Sequence, residues 1–152
     1  MIAIRHSFLS LFLFVLSIKG LTDGTIVTQT PLLWMIQGQS ATMNCSHNKD
    51  AFYFQMYWYQ QLPGQNMKEI VFTTTTPPHK YEKGFSEEKF PAEKKVAEKG
   101  SLTVKNLQPG DSGVYFCAVS RQGSSGTYPA YFGDGTKLTV LEDGRNITRP
   151  TV

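Results

Sequence analysis

After its first two dozen residues the chain is a series of short apolar or alternating runs separated by turn residues, and no stretch keeps a helical period over three turns. Residues 26–30 read as a first edge strand, closed by Pro31, which has no N–H to give a ladder. Ala41, Met43 and Cys45 then alternate with Thr42, Asn44 and Ser46, the period of a strand with one buried face. Residues 47–51 are polar and form a loop. The aromatic segment 52–59 follows, with Trp58 as the natural core plug. Leu62, Pro63 and Gly64 make a turn before a strand over 67–72. The β-branched run 73–78, ended by two prolines, suits an exposed edge and loop. Short strands are expected over 85–90, 100–104 and 114–119, with a turn-rich segment over 106–113. A Gly/Ser/Pro loop spans 121–129, and a final strand over 131–141 is interrupted by Gly133 and Gly135. About nine strands joined by short turns predict an all-β sandwich of two antiparallel sheets, since the amphipathic helices of a parallel α/β fold are missing.

The N-terminus has a different character. Arg5 and His6 precede an unbroken apolar run over 8–16, followed by small or polar residues up to Gly20. That order is the one of a signal peptide, too short to span a bilayer as a stable helix, with cleavage expected between residues 20 and 24. Both cysteines, Cys45 and Cys117, fall in the mature part, which would fold in an oxidising compartment. A bridge closing the 72-residue interval between them would be worth roughly 4.4 kcal/mol in the chain-entropy picture.

Charge and residue inventory narrow the function by exclusion. Removing Arg5 and Lys19 from the 15 basic side chains leaves 13 against 12 acidic ones. The lysines between 80 and 99 are interleaved with Glu82, Glu87, Glu88, Glu93 and Glu98, so no sustained positive groove forms and no nucleic-acid partner is expected. In the mature part His47 and His79 stand apart, without carboxylates or cysteines at metal-ligand spacing, and no nucleophile turn of the Gly-x-Ser-x-Gly type occurs. Neither catalysis nor a metal or other cofactor is expected.

Several motifs together resemble the immunoglobulin V-set domains of antigen receptors. Cys45 is followed by Trp58, and Cys117 by two residues follows Tyr115 within Asp111-Ser112-Gly113-Val114-Tyr115-Phe116-Cys117. Trp58-Tyr59-Gln60-Gln61-Leu62-Pro63-Gly64 is a second close match. The resemblance implies a Cys45–Cys117 bridge between the sheets, Trp58 packed on it, Leu107 in the core, and Tyr115 as a corner tyrosine whose hydroxyl returns to backbone upstream. It also implies an ion pair between Lys89 and Asp111 beneath the loops; lysine stands where the family usually has arginine, so a bidentate bond is impossible. Phe132-Gly133-Asp134-Gly135-Thr136-Lys137-Leu138-Thr139-Val140-Leu141 looks like a joining segment of a rearranged receptor. Its two glycines permit a bulge that aims Phe132 at a partner domain. The V-type domain with its joining segment then covers 21–141. Residues 142–152 resemble the start of a T-cell receptor β constant region from fish-like vertebrates, with Asn146-Ile147-Thr148 and Pro150 carrying the likeness.

From that resemblance follow expectations about function. Three loops, about 47–54, 73–80 and 118–130, would form the recognition surface, with Asp50, Tyr53, Thr75, Arg121 and Tyr128 as contacts for a peptide presented by a histocompatibility molecule; the alternative for Tyr53, as for Phe54, is a core anchor folded back from the loop end, and for Tyr128 packing under its loop. Arg121 and Tyr128 offer a charged fork and a rigid aromatic face. Gln61, Leu62, Pro63 and Phe132 would meet a second, α-like V domain. Signalling subunits and anchorage at the extracellular face of the plasma membrane would come through regions absent from this sequence. An immunoglobulin light chain, which shares almost the whole V pattern and binds antigen beside a heavy chain, or another V-set receptor is the alternative; Glu142 onward favours the β chain. Of two sequons, Asn44-Cys45-Ser46 lies in a central strand around a cysteine, whereas Asn146 lies in an exposed tail and is the candidate for glycosylation.

Overall fold

The computed structural model describes residues 25–122 and 130–144. Residues 1–24 with the expected signal peptide, residues 123–129 with Tyr128, and the tail from 145 with Asn146 lie outside the described residues. Eleven strands fall within them: β1 (Val27–Gln29), β2 (Leu32–Ile36), β3 (Ala41–His47), β4 (Gln55–Gln61), β5 (Lys68–Thr73), β6 (Lys80–Tyr81), β7 (Ala92–Val96), β8 (Lys99–Val104), β9 (Gly113–Ser120), β10 (Tyr131–Phe132) and β11 (Thr136–Leu141). The smaller sheet has the order β1-β3-β8-β7; the larger runs β2-β11-β9-β4-β5-β6, with β10 pairing on β9.

Alternation decides which faces meet. In β3, Ala41, Met43, Cys45 and His47 point inward, and in β4, Met56, Trp58 and Gln60 do. Trp58, Met43, Ile70, Leu102, Leu107, Tyr115 and Leu138 fill the space between the sheets and are fully or almost fully buried. Cys45 on β3 and Cys117 on β9 are disulfide-bonded across it. Trp58 is directly opposite Cys117 in the β4–β9 register, so the indole sits against the bridge. Its N–H finds no acceptor, which leaves Trp58 contributing area and shape. Gln60 Nε2 donates to the Tyr115 hydroxyl (3.0 Å), which donates to Asp111 O (2.7 Å). Burial pushes the Tyr115 phenol up to about 12.

Four points correct the expectations from sequence. Residues 32–36 form a strand: Pro31 does not end the edge but hands it from one sheet to the other, so β1 pairs antiparallel with β3 while β2 runs parallel to β11. Residues 85–90 are turns, because Phe90 N–H bonds Ser86 O and Lys89 N–H bonds Ser86 Oγ, local bonds that compete with a ladder. Phe85 and Phe90 pack edge-to-face against the core instead. The strand of this region is β7, in the lysine-rich stretch, where Lys94 is 4% exposed and its ammonium donates to Val96 O and Ala97 O. Finally, the Lys89–Asp111 pair (2.8 Å) is at the end opposite the recognition loops, where β8 turns toward β9. There Lys89 Nζ also donates to Asn106 O, and Asp111 caps the 3-10 turn at Pro109–Asp111 by accepting Gln108 N–H.

Gln29, a residue without any hydrophobic signal, pins the end of β1 to the large sheet. Its Nε2 donates to Tyr115 O and Thr136 Oγ1 (both 2.9 Å), while Oε1 accepts the N–H groups of Cys117 (3.2 Å) and Gly135 (3.0 Å). A Cβ at Gly133 would collide with this amide, and Gly135 has φ +96°, so the two glycines of the joining-like segment make room for it and for the kink between β10 and β11.

Two predictions concern stability. Gln29→Leu leaves the Cys117 and Gly135 N–H groups without acceptors and should cost about 2–4 kcal/mol in denaturant unfolding; a loss under 0.5 kcal/mol would show that water substitutes for the amide. Burial holds the Lys94 ammonium down at about 8, so between pH 8 and about 10.4 the unfolded chain binds more protons and stability rises with pH. Tyr115 acts oppositely above pH 10, where the unfolded phenol ionises and the folded one does not. The expected profile climbs from pH 8, peaks near pH 10 and falls beyond it; Lys94→Met should flatten the climbing limb and leave the fall.

Candidate functional site

Strand register brings the loops together. Gln55 at the start of β4 is opposite Ser120 at the end of β9, and Met56 is opposite Thr73 at the end of β5. The connections β3–β4, β5–β6 and β9–β10 therefore leave the sandwich at one end. The β7–β8 turn joins them there, since His47 N–H donates to Glu98 O (3.0 Å).

The first loop is built inside out, and Tyr53 takes the core-anchor alternative of the sequence reading and not the contact one. Asp50 Oδ1 accepts Phe52 N–H (2.9 Å) and Asp50 O accepts Tyr53 N–H (3.2 Å), a tight turn made by the aspartate itself. This turn drives Tyr53 inward, to 8% exposure, against His47 and Tyr131, with the Lys49 ammonium over both tyrosine rings. Tyr53 is thus a floor of the loop and not a contact on its surface. Phe52, which sequence reasoning passed over, is 65% exposed. Arg121 is half-buried, with its guanidinium 5.4 Å over the Phe52 ring, so the chain leaving β9 meets the first loop there. His47, expected in the loop, closes β3 and is buried. Asp50 and Thr75 are exposed, Thr75 within the turn where Thr74 Oγ1 accepts Thr76 N–H (3.2 Å).

The outward side of the large sheet forms a second surface. Tyr57, Tyr59 and Gln61 alternate outward on β4, with Phe72 beside Tyr57 (rings 4.8 Å apart) and Phe132 beside Tyr59 (5.5 Å). Phe132 is 50% exposed. The Tyr59 hydroxyl is pushed up to about 12 by burial and then by Glu69 across the strand pair; Glu69 is itself raised, by burial and by its bond to Glu82. Gln61, Leu62 and Pro63 line an open cavity of about 450 Å³ with Gly113, Val114 and Thr139. Gln61 is half-buried and its amide reaches only weakly toward Gln65 O (3.5 Å). A separate apolar strip, Leu32, Trp34 and Ile36 with Leu141 alongside, is exposed at the β2 edge.

Comparison with known proteins gives this architecture its class. The Immunoglobulin V-set domain family matches residues 28–141. "T-cell receptor beta chain V region LB2" of Mus musculus is 38% identical over 78% of this chain and 85% of its own length. "T cell receptor beta variable 29-1" of Homo sapiens is 35% identical over 73% of this chain and 98% of its own length. Among solved structures, a chain from work on T cell specificity and activation by the bacterial superantigen toxic shock syndrome toxin-1 superposes with a TM-score of 0.72 and 32% identity, over 78% of this chain and all of its own. The chain belongs to the immunoglobulin V-set family, and within it closely resembles rearranged T-cell receptor β variable regions. It is a recognition domain of the antigen-receptor kind and not an enzyme. Among the described residues no helix is long and apolar enough to cross a membrane.

The inside-out loop makes opposite predictions for neighbouring aromatics. Tyr53→Ala should destabilise by about 3 kcal/mol, as for a buried large side chain, whereas Phe52→Ala should stay within about 0.5 kcal/mol as an exposed residue. Thermal unfolding of both variants checks the assignment; equal losses would refute it.

Proposed function

We propose that this chain is the variable region of a T-cell receptor β chain, which pairs with an α-chain V domain through the outward side of its large sheet and reads a peptide held by a histocompatibility molecule through the loop end. The observation that carries the reading is the pairing of two surfaces on one sandwich: a cluster of aromatic rings around Tyr59 and Phe132 on a sheet face, and a loop end bearing Phe52 and Arg121. Exposed aromatic area of this kind is enriched in domain–domain interfaces, and Gln61 at its lower edge is suited to bonding a counterpart amide. The cavity beside Gln61, Leu62 and Pro63 has room for an apolar side chain of the partner. At the loop end, Asp50, Thr75, Arg121 and Tyr128 are the proposed contacts, and Phe52 takes the place given to Tyr53. Signalling subunits and anchorage at the plasma membrane belong to the constant and membrane regions of such a receptor, residues 21–141 being its V domain, and Asn146 carries the proposed glycan.

The test is co-expression with α-chain V domains followed by measurement of pairing and of binding. Phe132→Asp and Tyr59→Asp should abolish pairing while the isolated chain keeps its fold. Arg121→Ala and Phe52→Ala should leave pairing intact and weaken binding to a cognate peptide–histocompatibility complex by about 10-fold or more, the range of interface hot spots. Loss of binding confined to outward residues of the small sheet would refute the assignment.

A further inference from the structure

His47 is 7% exposed, and both of its ring nitrogens face backbone groups. Nε2 lies 2.8 Å from Tyr53 O and 3.0 Å from Ala97 O. Carbonyl oxygens only accept, so Nε2 carries the hydrogen and shares it between them. Nδ1 lies 3.2 Å from the Lys49 nitrogen, whose N–H donates, so Nδ1 is bare. The surroundings thus select the neutral Nε2–H tautomer. Through this ring and its own N–H to Glu98 O, one residue holds both limbs of the first loop, at Lys49 and at Tyr53, against the β7–β8 turn.

We propose that His47 is the positioning residue of the first loop, holding it to the β7–β8 turn as the neutral Nε2–H tautomer, and that taking up a proton at Nδ1 releases the Lys49 limb. The proton comes from solvent and occupies the lone pair that accepts Lys49 N–H; two hydrogens then face each other and the bond is lost. The charged and titratable groups around the ring are few. From β7, the Lys94 ammonium donates to Ala97 O, the carbonyl His47 also uses, and Glu98 in the next turn interacts electrostatically with it. From the first loop come Lys49, the Asp50 carboxylate engaged with Phe52 N–H, and Tyr53, whose ring lies 6.3 Å from the imidazole. From β10 comes Tyr131, under the Lys49 ammonium and against Tyr53. With two lysines among these groups, a charged imidazole has no carboxylate bonded to it that would compensate for the lost acceptor. Because Tyr53 is the floor of the loop, the consequence is a change in how Phe52 is presented, while the disulfide-bridged core stays in place.

The inference concerns the loop alone and needs no ligand, so it stands or falls separately from the antigen reading. The experiment uses the full chain, oxidised and isotopically labelled. At pH 7.5 the imidazole nitrogen spectrum should report hydrogen on Nε2. Between pH 7.5 and 5 the hydrogen-exchange protection of the Lys49 amide, corrected for its intrinsic pH dependence, should fall about tenfold, the worth of one hydrogen bond, while β9 amides keep theirs. His47→Asn retains an acceptor near the Nδ1 position and does not titrate, so its Lys49 protection should be independent of pH over this range. A hydrogen on Nδ1, a flat Lys49 profile in the native chain, or the same fall in His47→Asn, which would assign the response to Asp50 or Glu98, each overturns the proposal. If His47→Asn fails to fold, the tautomer and the native profile still decide it.

Discussion

The covalent bond between Cys45 and Cys117, with Trp58 laid against it, is the constraint on which the rest of this sandwich depends. It joins the middle of β3 to the middle of β9, so each sheet is tied through its interior and not its edge. Because the register from that point is fixed, the inward set of every neighbouring strand is fixed as well: a slip of one residue would put Met43 and Trp58 in water. The same register carries outward-facing consequences. Tyr57, Tyr59 and Gln61 project from the large sheet only because Met56, Trp58 and Gln60 project inward.

Polar groups in the interior follow from this closure. Gln60, Tyr115 and Asp111 form a chain of bonds that ends on backbone, and Gln29 accepts and donates at four points where β9 and β11 would otherwise have unpaired groups beside the bend. A half-buried amide so fully engaged stabilises one geometry over its neighbours, since any shift of the bend leaves several groups unsatisfied at once. Lys94 is the costlier case. Its ammonium is buried on carbonyls without a bonded carboxylate, and the depressed ionisation is the expected result.

At the loop end the same economy of rigid parts is visible. The first loop has an interior of its own, made by Tyr53, His47 and Tyr131, and only its tip is left to solvent. Arg121, just after β9, lies over Phe52 at that tip. A first loop built this way presents a small number of pre-placed groups, which lowers the ordering cost of any contact it makes compared with free chain. The outward side of the large sheet is a different kind of surface, a cluster of the Tyr57, Tyr59, Phe72 and Phe132 rings.

The sequence by itself determined the class of fold, the inward set of β3 and Trp58 as a core residue, because strict alternation and a large aromatic in an apolar run are local signals; the motifs around Cys45, Trp58, Tyr115 and Cys117 implied the bridge by their resemblance to a family. It also marked Phe132 and its flanking glycines, since a bend inside a strand needs residues that tolerate it. What only the tertiary structure decided was where long-range pairing overrides local pattern. The parallel strand β2 has no signature of its own, as it exists because β11 lies beside it. The 85–90 segment has the apolar ends of a strand, but its backbone bonds within the turn. Tyr53 and Phe52 are adjacent aromatics that no pattern separates; the turn made by Asp50 and the pocket offered by His47 and Tyr131 choose which is buried. Gln29, His47 and Lys94 read as ordinary polar residues along the chain, because a polar side chain withdrawn from water is identified by the partners around it, and those partners lie up to 107 positions away.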